Sequence, residues 1–153
     1  MAYALLVASA FLFELALDVP VGSLPLALDG DGASHGAVAA AMGSGVFAAM
    51  LAGLPLGALV DRAGRLPVLK ATAFAGVAVL VGLTFVHGAP GGSALLALRS
   101  MAFIGFMTAE FAYAGDLASP DRAVSTVATL GMVGTLTYAS RPARALAGAA
   151  RAR

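Results

Sequence analysis

Four stretches of this chain are each long enough and apolar enough to leave water altogether, and only short polar turns separate them. A helix needs about 20 mainly apolar residues to cross ~30 Å of hydrocarbon. Helices are expected at about residues 3–28, 36–60, 67–86 and 94–115, with a fifth near 123–140 that almost reaches that length. Strands fit poorly, because period-2 alternation is absent and the apolar runs are too long. Composition points the same way: 60% of the 153 residues are hydrophobic and 11% are charged, against roughly 25% charged in a soluble domain. So few polar side chains cannot cover a water-facing surface. The expected fold is all-α, a polytopic transmembrane helix bundle over residues 1–140, followed by a basic low-complexity segment over 141–153.

The turns carry the topology. Asp29-Gly30-Asp31-Gly32-Ala33-Ser34-His35, the charged Asp61–Arg65 loop, His87-Gly88-Ala89-Pro90-Gly91-Gly92-Ser93 and Asp116-Leu117-Ala118-Ser119-Pro120-Asp121-Arg122 separate the runs. Gly and Pro make the third of these dense in helix breakers. Pro67 stands where the first turn of a helix tolerates proline. Arg62, Arg65 and Arg122 follow the second and fourth helices, with Lys70 close behind, while the loops after the first and third hold no Lys or Arg. The positive-inside rule then makes the basic loops and the N-terminus cytoplasmic, in a multi-pass protein of the cell (plasma or inner) membrane. Only Met1-Ala2-Tyr3 precede the first apolar run, without a basic n-region, so a cleaved signal peptide is not expected. Residues 141–153 break the charge pattern, with Arg141, Arg144, Arg151 and Arg153 among small residues. That segment reads as non-native sequence, from a shifted frame or a truncated gene model.

Charged residues inside the apolar runs are the candidates for chemistry. Glu14 and Asp18 are four apart in the first helix and share a face. Two carboxylates in a low dielectric can hold a proton between them, as a proton-coupled transporter requires; alternatively they pair with Arg99 or line a hydrated vestibule. Arg99 enters the fourth run at a depth of about 7.5 Å, facing a partner or a cavity, or reaching back to the outer headgroups. Glu110, about three turns further on, falls on nearly the same face. It either lines a path with Arg99 or stands alone near the inner end of its helix.

The charged turn is the most specific motif. Residues 57 to 65, Gly-Ala-Leu-Val-Asp-Arg-Ala-Gly-Arg, follow the pattern G-x-x-x-D-R-x-G-R. The alternative is a plain positive-inside anchor with a glycine turn. The pattern resembles the loop between the second and third helices of the major facilitator superfamily of secondary transporters. The resemblance covers Gly57, Asp61, Arg62, Gly64 and Arg65, with Leu66 where a second basic residue is usual. Arg99 followed by a glycine-containing stretch is similar to the family's fourth-helix motif, with Ala102 in place of the usual glutamine. The resemblance implies that Asp61 caps a helix and joins a cytoplasmic gate cluster with Asp116. It also implies a second, C-terminal half as partner, since family members have twelve helices in two halves built from inverted repeats, and this chain holds five at most.

The function expected is transmembrane transport of a small solute, coupled to protons and directed to efflux. Glu14, Asp18, Arg99 and Glu110 would form the substrate or proton path; Gly57, Asp61, Arg62, Gly64, Arg65 and Asp116 would form the gate. The alternative is a polytopic protein that transports nothing itself, a remnant or an assembly partner. No enzyme activity, cofactor or metal site is expected: the chain has no cysteine, His35 and His87 fall in outer turns, and no nucleophile or phosphate-loop pattern occurs. Gly43-Ser44-Gly45-Val46-Phe47-Ala48 mimics a dinucleotide fingerprint but lacks the βαβ unit that would make it one. Nucleic acid is not an expected partner, because the basic segment has no interleaved aromatics; the lipid bilayer is. Gly43, Gly45, Gly53 and Gly57 are expected to let the second helix pack closely, Gly53 and Gly57 as a G-x-x-x-G. Pro20, Pro25 and Pro55 allow bends in the helices.

Overall fold

The computed structural model describes residues 2–85 and 87–139; the basic segment 141–153, with the expectation about its origin, lies outside them. The chain is an all-α bundle, and no strand occurs among the described residues. Its helices are α1 (Ala2–Gly30), α2 (His35–Ala63), α3 (Arg65–Leu83), α4 (Ala89–Leu117) and α5 (Ala123–Ala139), with a 3-10 turn at Pro120–Arg122 before α5. Helices α1 to α4 are long and apolar enough to cross a membrane. At 29 residues each, α1, α2 and α4 extend ~44 Å, longer than the ~30 Å that a hydrocarbon core requires.

That length corrects two expected boundaries. Asp61 and Arg62 are not in a loop but in the last turn of α2, and Arg65 already opens α3. The whole connection is Gly64, at φ 89° and ψ 157°, a region essentially confined to glycine. Helix α4 also starts earlier than the glycine and proline content suggests. Pro90 falls in its first turn, where the missing N–H costs nothing, so Ala89–Ser93 are helical. The helix therefore gains more than a turn before Arg99.

Helix α4 is the hub. It packs on α1, α2, α3 and α5, whereas α2 and α3 touch each other sparingly. It runs antiparallel to α1, as three layers show: Leu28 packs on Gly92, Asp18 meets Arg99, and Phe13 stacks on Phe106 with ring centroids 3.9 Å apart. Close approach of α2 to α4 depends on Gly45, where a Cβ would lie 2.8 Å from Ser100 Oγ and 3.4 Å from the Leu96 carbonyl oxygen. Beside it the Ser44 hydroxyl donates to the Ser93 carbonyl across the same interface at 2.9 Å. The expected G-x-x-x-G contact is not made: a Cβ on Gly43, Gly53 or Gly57 would meet nothing within 4 Å. Only Gly45 of that set packs tightly.

The distribution of side chains is inverted relative to a water-soluble bundle. Phe47, Met50, Phe74, Phe85 and Val124 are exposed, and Leu54 is 88% exposed. Glu14, Asp18, Arg99 and Glu110 are buried. Large apolar side chains outside and charges inside suit a lipid solvent, because an intramembrane charge is tolerated where it faces the bundle interior.

Candidate functional site

The buried charges meet where α1, α4 and α5 come together. Arg99, only 8% exposed, donates from Nη2 to Asp18 Oδ1 at 2.9 Å and from Nε to the Leu17 carbonyl at 3.0 Å. Its guanidinium also lies over the Phe103 ring, 5.1 Å from the centroid. A charge at mid-membrane costs about 2.5–3.5 kcal/mol on insertion scales. A charge-assisted bond to a carboxylate, a carbonyl acceptor and an aromatic face offset that cost. The outward, headgroup-seeking orientation is therefore not adopted: the earlier start of α4 puts Arg99 ~15 Å from the helix end, and the side chain turns inward.

Glu14 and Asp18 share the inward face of α1, as their spacing implies, but they address different neighbours. Asp18 faces Arg99; Glu14, one turn away, faces α5, where a Cβ on Gly134 would lie 3.1 Å from Glu14 Oε2. Glu110, 1% exposed, is within electrostatic reach of Glu14. Its Oε2 has no hydrogen-bond partner among the described residues. Three carboxylates and one guanidinium thus share the interior of the bundle.

Beside Glu14 opens a cleft of about 300 Å³, lined by Glu14, Phe103, Met107, Gly131, Gly134 and Thr135. The five residues other than Glu14 were not singled out from the sequence. A usable signal existed: Phe103 and Met107 follow Arg99 at steps of four, on one helix face. A larger groove of about 530 Å³ lies between α2 and α4, among Phe47, Leu51, Pro55 and Met101. Its polar side chain, Ser44, is already bonded to the Ala41 and Ser93 carbonyls. That groove offers nothing to orient a polar solute.

The gate residues form a second cluster at one end of the bundle. Arg65 Nε lies 3.0 Å from Asp116 Oδ2, close enough for an ion pair although the N–H is not aligned as a hydrogen bond. Arg65 Nη1 is 4.0 Å from Asp61 Oδ1. Arg65 therefore bridges two acids and ties the α2–α3 corner to the end of α4. Asp61 lies within the last turn of α2, and the N-cap position of α3 is Gly64, with no side-chain cap. Arg62 is exposed, and a Cβ on Gly57 would meet nothing within 4 Å. At the opposite end the Gly88 N–H donates to Asp31 Oδ2 at 3.4 Å, linking the other two turns.

The Arg65–Asp116 pair is half exposed, and such pairs contribute about 0.2–1 kcal/mol. Asp116→Asn is expected to lower unfolding free energy by less than ~1 kcal/mol, measured by denaturant titration in micelles. A larger loss would make this pair a structural clamp rather than a contact that can open. No group of His, Cys, Asp and Glu able to hold a metal occurs among the described residues. Compared with protein-family models, with curated proteins and with solved structures, the chain gives no match in any of the three.

Proposed function

We propose that the chain forms part of a secondary transporter of the major facilitator type, moving a small solute across the cell membrane in exchange for protons. The observation that carries this reading is the buried constellation of Glu14, Asp18, Glu110 and Arg99 inside a bundle whose outer surface is apolar. Ionisable residues within membrane helices mark ion and proton paths, because their burial is otherwise unfavourable. Asp18 is engaged by Arg99, and the proton is assigned to Glu110, whose buried Oε2 has no hydrogen-bond partner among the described residues. The Asp61–Arg65–Asp116 contacts supply an ion-pair latch that can break as helix ends separate. Arg62 at the end of α2, Arg65 at the start of α3 and Arg122 in the turn after α4 favour a cytoplasmic face there and a cytoplasmic N-terminus. Acids in the first helix favour efflux.

The test is solute-dependent proton movement in proteoliposomes carrying an internal pH dye, with the chain alone and joined to any coding sequence that follows it in its gene. Flux that appears on adding solute, and falls at least tenfold in Glu110→Gln, is the expected result. Absence of flux from both correctly folded forms would overturn the reading and leave a membrane protein that transports nothing itself.

A further inference from the structure

We propose that the outward face of α3 holds one acidic phospholipid, with Lys70 on its phosphate and Phe74, Val77 and Val81 along its acyl chains. The proposal needs α3 to cross a bilayer and is independent of transport.

The pattern starts in the sequence. Lys70 is the only lysine of the chain. With Leu66, Phe74, Val77 and Val81 it follows the steps of four and three that keep residues on one helix face. The fold turns this face away from the bundle. Leu66, Phe74, Val77 and Val81 are exposed, as is Lys70. Val68, Thr72, Gly76 and Val79, on the other side of the same helix, are buried. A cation therefore stands within an apolar stripe that no other helix of the bundle covers.

Depth then directs the ammonium. Helix α3, Arg65–Leu83, has 19 residues, or ~28 Å, and so just covers the ~30 Å of hydrocarbon. Unlike α2 and α4 it has no turn to spare. Lys70 lies ~7.5 Å from the start of the helix. An unpaired charge facing acyl chains at that depth is unfavourable. The side chain leans towards the helix N-terminus, so its head climbs past Leu66 to the interface, where lipid phosphates are.

Charge selects the lipid. Lys70 makes no ion pair among the described residues. Asp61 and Asp116, at the same end of the bundle, both face Arg65. Arg62, also exposed, adds positive charge at that end. A zwitterionic headgroup carries its own cation and leaves little for Lys70 to neutralise. An acidic headgroup has no such internal partner, and basic residues at the membrane surface attract it. Its phosphate complements the ammonium while its chains complement the stripe.

The chain has no tryptophan, so Phe74→Trp places a single fluorophore one turn from Lys70. The full chain carrying it is reconstituted in mixed bilayers of phosphatidylglycerol and phosphatidylcholine, with one lipid or the other brominated. Quenching then measures which lipid is the neighbour. Expected is an association constant for phosphatidylglycerol about fivefold above that for phosphatidylcholine, the effect of one basic residue near an anionic surface. Lys70→Gln should bring the ratio close to unity, and Lys70→Arg should keep it. Leu54→Trp, on the exposed face of α2, should report a ratio near unity with Lys70 in place. Equal preference at both reporters overturns the proposal, because the attraction then belongs to the whole surface. Preference that survives Lys70→Gln overturns it, as does the absence of any preference. Protection of the Phe74→Trp reporter from both brominated lipids overturns it as well and gives the stripe to a protein partner. Should Phe74→Trp fail to fold, Val77→Trp reads the same stripe.

Discussion

Arg99→Leu is expected to destabilise the bundle by about 3–5 kcal/mol, the range for removing one partner of a buried ion pair. The variant leaves Asp18 buried without the guanidinium 2.9 Å away, and the Leu17 carbonyl without its Nε donor. Loss of packing over Phe103 adds to this. The charge imbalance should dominate, and a second variant separates the two effects. In Asp18→Asn combined with Arg99→Leu neither member of that pair is left stranded, and replacing both members of a buried pair is often close to neutral. Most of the loss should therefore be recovered. Unfolding free energies in mixed micelles measure both. If the double variant is no more stable than Arg99→Leu, the residue matters through its packing and not through its charge.

The second large effect belongs to a glycine. Gly45→Leu should cost about 1–3 kcal/mol, as overpacking of a tight interface does. Ser100 Oγ can swing away from the new side chain. The Leu96 carbonyl, 3.4 Å from where the new Cβ would stand, belongs to the α4 backbone and cannot. Gly53→Leu, on the same helix, should stay within about 0.5 kcal/mol, as surface substitutions do, because that position opens onto empty space. The same unfolding measurement decides. A silent Gly45→Leu would mean that α2 and α4 are held apart by something other than contact at this position.

The contrast between those two glycines shows where sequence reasoning reaches its end. Helix number was legible because it depends only on how many apolar residues occur in succession. Helix ends were less so. Asp61 and Arg62 look like loop residues, yet they are helical because α2, at 29 residues, is longer than a membrane crossing needs and its last turn can be polar. Pro90 looks like a breaker and is a starter. That Glu14, Asp18, Arg99 and Glu110 are unusual could be read from their apolar neighbours. Which of them pair could not, since the register between α1 and α4 is set by tertiary packing. The partition of Asp18 to Arg99 and of Glu14 to α5 became visible only once that register was known. Gly53 and Gly57 have the spacing of a packing motif, but spacing does not say whether a neighbour lies opposite.

Gly64 leaves α2 and α3 a single residue of slack, and yet the two helices share little surface. They form a joined hairpin that gains little by closing on itself. Each of them packs mainly on α4, the later segment. Removing α4 would therefore leave α2 and α3 covalently joined but without most of the helix surface that each of them packs on.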